Sequence, residues 1–300
     1  TAINAAAATA VVTPPQGYLT LTSDAVTVTD VTSATAVYYA PLIGNQVPIY
    51  NGTRFVPTEF SQLTLTLHSS HATNTLYDVF VFSNAGVLTL VTGPAWATST
   101  AGSGARGRGA GTTQIARVGG IYVTSVAMTA ARNGSTTYSV GANLATYLGT
   151  IVIDGSAGQV TCHVTYGTSR RWAVWNAYNR QPIIMKVGST SAYAITGTLA
   201  LRAVANDAGN SALALRGLDD EPIDIFFATP FTITANNATV SVQNAIGVDA
   251  TNAGSGTQGG ASVTNPASTD LVISNDHQAT HVVRTSLGLN NIYQLESATF

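Results

Sequence analysis

In YLTLTSDAVTVTDV (residues 18 to 31), Leu19 and Leu21, then Val26 and Val28, are each separated by one threonine. Side chains of an extended chain point to alternate faces, so this spacing asks for strands with one face in a core and the other outside. The same period recurs in LTLTLH (63 to 68), LYDVFVF (76 to 82), GVLTLVTG (86 to 93), GGIYVTSVAM (119 to 128), ATYLGTIVID (145 to 154) and GQVTCHV (158 to 164). Further runs are PIIMKVG (182 to 188), AITGTLALRAV (194 to 204), EPIDIFFATPFTIT (221 to 234) and ATVSVQNAIGV (238 to 248). Gly, Asn, Ser and Pro punctuate them, and Ser83-Asn84-Ala85-Gly86 joins two apolar runs as a hairpin. No run carries an apolar stripe of helical period. The expected class is therefore all-β, an antiparallel sandwich or jelly roll.

Residues 1 to 17 form an arm in this reading, because an alanine run is stopped by Pro14, Pro15 and Gly17. Two stretches lack bulky side chains, TSTAGSGARGRGAGTT (98 to 113) and TNAGSGTQGGASVTNPAST (251 to 269), and are expected as surface loops. The first divides the chain into β-modules at 18 to 112 and 113 to 300, unless the two are one domain.

Only 9% of residues are charged, against about 25% in an ordinary soluble domain. Lys186 is the single lysine, and Thr, Ser, Asn, Gln and Gly must cover the surface. Such a surface has little long-range repulsion to oppose association, which suits a subunit whose faces are covered by companions. A net charge of -2 without basic clusters argues against a nucleic-acid partner. Cys162 stands alone, so no intramolecular disulfide forms. The N-terminal stretch has no basic region ahead of it, and Pro14-Pro15 interrupts it short of a membrane span. Folding in a cytoplasm, with no membrane partner, is the expectation.

Little in the sequence calls for catalysis. The elbow G-x-S-x-G is absent, and Cys162 and His163 would face opposite sides of a strand, leaving Cys162 a small buried side chain. His68-x-x-His71 and His277-x-x-x-His281 have ligand-like spacings, but spacing alone is a weak signal. Asp219, Asp220, Glu221 and Asp224 lack the pattern of a calcium loop and read as an exposed acidic turn. Nothing marks the paired carboxylates of a glycosidase. GARGRGAG (104 to 111) lacks the Lys-Ser/Thr of a phosphate loop. Its Arg106 and Arg108 are expected to pin a loop to an acidic neighbour, with Asp219, Asp220 or Glu221 of another subunit as candidates. No cofactor or metal is expected.

RRWAVWNAYNRQPI (170 to 183) crowds Arg170, Arg171 and Arg180 around Trp172, Trp175 and Tyr178. On one strand, Trp172, Val174, Asn176 and Tyr178 would share a face, with Arg171, Ala173, Trp175, Ala177 and Asn179 opposite. Both faces carry a large ring, so both need cover, either from the domain's own core or from a neighbour. Arg171, Trp172, Trp175, Tyr178 and Arg180 are therefore candidate packing or interface anchors. A sugar platform is the remaining reading of these aromatics.

APLIGNQVPIYNGTRFVP (40 to 57), GPAWATSTAGSGARGRGAGTT (93 to 113), ATYLGTIVIDGSAGQVTCH (145 to 163) and RRWAVWNAYNRQPI together resemble an uncharacterised family of tailed-bacteriophage and prophage proteins. The resemblance runs from about Tyr18 to SLGLNNIYQLES (286 to 297). It implies a virion component, of tail-fibre, tail-accessory or capsid-decoration type, made in the bacterial cytoplasm. Its partners would be other virion proteins and copies of itself, in a trimer or another symmetric homo-oligomer. The resemblance supplies no catalytic residues. The alternative is a tail protein that binds or cleaves a host surface glycan.

Overall fold

The computed structural model describes residues 12–100, 107–109, 114–188, 198–203, 207–219, 223–233, 240–251, 257–265, 273–283, 285 and 287–299. Among them are 25 strands, β1 to β25 in chain order, and no helix. The class is all-β, as the alternation requires, and the strands are antiparallel apart from two parallel pairs named below.

The first large sheet has the order β12 (Thr136–Val140), β11 (Met128–Asn133), β8 (Val87–Ala95), β7 (Leu76–Asn84), β13 (Ala145–Val152), β10 (Ile121–Thr124) and β9 (Ile115–Val118). The short β17 (Val174–Asn176) also pairs with β13, beyond the end of β10. Strand β13 is buried at all eight positions. A central strand covered on both faces needs no polar alternation, and ATYLGTIV shows little. The hairpin at 83–86 forms as expected: Asn84 pairs with Val87, and Ala85 and Gly86 take positive φ of 49° and 91°. That is the handedness a two-residue turn needs to match strand twist.

The second large sheet has the order β2 (Val31–Ala34), β14 (Val160–Cys162), β16 (Ser169–Trp172), β20 (Ser211–Arg216), β25 (Gly288–Thr299), β22 (Val240–Val248) and β23 (Thr257–Asn265), with β19 (Leu199–Ala203) also on β25. The β16–β20 pair is parallel. A third sheet joins β1 (Gly17–Thr20), β3 (Ala36–Pro41) and β6 (Leu63–Thr66). Three ribbons complete the set: β4 (Gln46–Tyr50) with β5 (Phe55–Glu59), the parallel β15 (Tyr166–Gly167) with β18 (Lys186–Val187), and β21 (Ile223–Ile233) with β24 (Ile273–Val283). One apolar cluster takes Leu148 and Ile151 from the first sheet, Cys162, Trp172 and Leu215 from the second, and Leu19, Tyr39 and Leu65 from the third. The sheets thus close over a shared interior, as in a sandwich.

Several expectations change. The boundary at 112 does not separate sheets, since β7 and β8 before it pair with β13 and β11 after it. The arm is shorter than 17 residues. Gln16 N donates to Gln46 O, Leu42 N and Ile43 N donate to Gln16 O, and Gly17 opens β1. Residues 1 to 11 lie outside the described residues. The small-residue stretch 251–269 is not wholly loop, because 257–265 form β23 in register with β22. A backbone ladder beside an existing strand can form without bulky side chains. Two alternating runs fail as strands: Val26 and Val28 lie outside any strand, and of 182–188 only Lys186 and Val187 are extended in a ladder.

Candidate functional site

RRWAVWNAYNRQPI is one of the places where the chain passes from one large sheet to the other. Strand β16 ends at Trp172 in the second sheet and β17 begins at Val174 in the first, so the run is two short strands rather than one. Ala173 at the crossing is fully buried; its N donates to Cys162 Sγ at 3.4 Å and its O accepts from Val152 N at 3.0 Å. The single alternating strand expected from the sequence is therefore corrected: Trp172, Ala173 and Val174 are consecutive and all buried.

Each polar member then serves packing. Asn176 copies a strand partner: Leu19 N donates to its Oδ1 at 2.6 Å and its Nδ2 donates to Leu19 O at 3.0 Å. Asn179 Nδ2 donates to Pro15 O and Gly17 O, which holds the start of β1. Arg170 pairs with Asp30 at 3.3 Å and Arg171 with Asp154 at 2.6 Å. Arg180 lays its guanidinium 4.7 Å from the Trp175 ring centre and donates from Nε to Asn176 O. The surroundings of Trp175 are tight, since a Cβ at Gly217 would overlap its indole and one at Gly149 its backbone carbonyl. Tyr178 accepts from Tyr122 N at 2.9 Å, and burial pushes its phenol up to about 12. The five anchors are brought together as a fastening between sheets.

Arg108 takes a different place from the one expected. It is buried within this chain, with Nε 3.0 Å from Asp78 Oδ2 and its guanidinium 4.6 Å from the Trp96 ring centre. Asp78 Oδ1 accepts from the Thr150 hydroxyl at 2.7 Å, and that oxygen lies 2.7 Å from Tyr147 OH. Burial raises the Asp78 carboxyl above the usual range, against the pull of Arg108 and Thr150. The glycine-rich loop makes this closure possible: a Cβ at Gly109 would overlap the buried Gln114 amide. Asp219 instead pairs with Arg216 at 2.7 Å. Arg106, Asp220 and Glu221 lie outside the described residues.

The other candidates have equally local roles. Cys162 is fully buried and its thiol is pushed up to about 12 by burial. His71 is fully buried, 3.0 Å from the Thr92 hydroxyl through Nε2, and accepts from His68 N through Nδ1. His277 and His281 fall within β24.

What the sequence reading missed is a pair of adjoining grooves. The smaller, about 400 Å³, is lined by Val26, Val28, Val164, Pro182, Ile183 and Ile184 among others. The larger, about 700 Å³, has Ala212, Ala214, Ile246 and Ile292 of the second sheet in its wall, with Met185, Ile223 and Ile225 beside them. Ile183, Ile184 and Lys186 belong to both, so 183–186 is the ridge between them. Ile184 is 69% exposed, Ile183 40% and Val28 75%. The signal was present: these are the two alternating runs that fail to become strands.

Compared with protein families, with curated proteins and with solved structures, the chain matches none.

Proposed function

We propose that this protein is a structural subunit of a tailed-bacteriophage particle, of tail or fibre accessory or capsid decoration type, which acts by association with its own copies and other particle proteins and not by catalysis. The observation that carries the reading is the ridge and its grooves. Val28 lies in an alternating run and Ile183 and Ile184 are consecutive in a strand-like apolar run, yet the subunit's own sheets leave all three open to solvent. Exposed apolar ground of this kind marks a contact surface. On a chain with 9% charged residues, little else opposes association. The β21–β24 ribbon points the same way. Its 11 residue pairs join no other strand among the described residues. A two-stranded sheet is marginal in water without a third strand or a packed face, and the packing of this one among the described residues is Ile223 and Ile225 against the cluster of Ala214, Ile246 and Ile292.

The glycan alternative required paired carboxylates or an exposed shelf of Trp172, Trp175 and Tyr178. Trp172 is buried and Trp175 and Tyr178 are half-buried, and the larger groove carries one carboxylate, Asp224, among its lining residues. Its one favourable feature is Tyr166 and Tyr293 in the same groove. Sedimentation of the purified chain together with side-chain-resolution imaging of the phage particle tests the proposal. The expected result is a symmetric oligomer, or an ordered position in the particle, with Ile184 covered. The change Ile184→Asp should abolish that association while leaving the melting temperature close to wild type. A monomer of unchanged behaviour in both forms, absent from particles and active on a glycan, would sink it.

A further inference from the structure

The sequence holds Asn-Gly followed by a hydroxyl residue at Asn51-Gly52-Thr53 and at Asn133-Gly134-Ser135, and the fold treats the two in opposite ways. Asn133 bridges sheets. Its Nδ2 donates to Thr64 O at 2.9 Å and to Leu90 O at 3.0 Å, and its Oδ1 accepts from Thr66 N at 3.0 Å. Gly134 N is also engaged, donating to Thr66 O. Both the nitrogen that would leave and the nitrogen that would attack are thus held in hydrogen bonds.

Asn51 stands at the exposed tip of the β4–β5 hairpin. Its Oδ1 accepts from Thr53 N at 3.0 Å and Arg54 N at 2.9 Å. Its Nδ2 and Gly52 N make no hydrogen bond among the described residues. Gly52 has φ of +95° and open space where a Cβ would stand, so nothing crowds the turn. Two backbone N–H groups aimed at a carbonyl oxygen stabilise negative charge that develops there on attack at its carbon.

We infer that Asn51 is a site of spontaneous succinimide formation and hydrolysis, and that Asn133, with almost the same local sequence, is protected by the fold. Gly52 N gives up its proton and bonds to Asn51 Cγ while the oxyanion rests on Thr53 N–H and Arg54 N–H. The Cγ–Nδ2 bond breaks and Nδ2 leaves as ammonia, carrying the proton that Gly52 lost. Water then opens either imide C–N bond, giving aspartate or isoaspartate. Each event adds one negative charge per copy at the hairpin tip beside Arg54. The isoaspartyl form also lengthens the backbone beneath the Tyr50–Phe55 ring contact, whose centres are 5.2 Å apart.

The test is independent of whether the subunit assembles. The full chain is incubated at mildly alkaline pH, native and in urea, and peptides containing each asparagine are followed by mass spectrometry with isoaspartate detection. In the native protein Asn51 should convert about 100-fold faster than Asn133, whose three side-chain hydrogen bonds must first open. In urea the two rates should converge. Equal native rates, a stable Asn51, or a difference that persists in urea would each overturn the inference.

Discussion

The two large sheets spend the same scarce charges differently. In the first, β13 is buried along its whole length and, among the described residues, the ion pair Asp78–Arg108 is sealed inside, with both side chains under a tenth exposed. In the second, β20 is only half-buried at Ser211, Ala212 and Leu213, and the ion pairs Arg170–Asp30, Arg171–Asp154 and Arg216–Asp219 each keep at least one partner partly in water. The first sheet is finished by its own chain, whereas the second keeps an apolar face beside the grooves. Stability should therefore reside in the first and association in the second.

The largest test of that division is Asp78→Ala. Removing the carboxylate leaves the Arg108 guanidinium buried without its counter-charge, and breaking such a pair costs about 3–5 kcal/mol. Asp30→Ala, at the margin of the second sheet, removes a partly exposed pair and the hydrogen bonds from Val164 and Thr165, and should cost less, about 1–2 kcal/mol. Chemical denaturation of both variants measures the contrast, and comparable losses would remove the distinction. A smaller contrast comes from deleting the same atoms in two places. Ile151→Ala, in the shared interior, should cost about 3 kcal/mol through lost burial and a closed cavity. Ile292→Ala, in the groove wall, should cost about half as much, because water can enter the space it leaves.

Acid separates the regions next. Burial lowers the His71 imidazole to about 4, so the unfolded chain binds a proton near pH 6.5 that the folded chain refuses. Stability is whole above pH 6.5 and falls by about 3 kcal/mol as pH drops to 4. The Thr165 hydroxyl bond, followed by backbone N–H bonds from Val164 and Thr165, holds the Asp30 carboxyl down at about 2. Its contribution is whole above the usual carboxylate range and fades only as pH falls toward 2. His71→Gln should flatten the upper part of the pH–stability curve and leave the lower part unchanged. A curve whose upper part survives in His71→Gln would assign that slope to another group.

How much of this the sequence disclosed follows from what period two can and cannot say. It reports that a run has an apolar side, which located β7, β8, β13 and the hairpin at Ala85-Gly86. It does not report whether the same chain covers that side, so Val28 and Ile184 read like Leu19 and Leu21 although they end in water. Local composition was also blind to partners distant in sequence. Arg108 in a glycine-rich stretch looked like a surface cation because Asp78 lies 30 positions earlier. Nor could pattern show that Ala173 is a crossing point. That follows from Cys162 and Val152 gripping it from two sheets, and a one-residue break between short strands leaves no periodic trace.

The smallest expected effect concerns the fastening itself. Arg180→Ala removes the guanidinium from the Trp175 face and its bond to Asn176 O, and a partly exposed cation–π contact is worth about 0.5–1 kcal/mol. If the stretch only fastens sheets, that modest loss of stability is the whole consequence, and sedimentation stays as in wild type. If Arg180 and Trp175 also meet a neighbouring subunit, the variant will lose association out of proportion to its stability, as truncated Arg and Trp do at contact centres. Comparing it with Ile184→Asp decides between the two. Association that is already absent in the single Ile184 variant, and unaffected by Arg180→Ala alone, confines the contact surface to the grooves and leaves the arginine and tryptophan cluster to the interior.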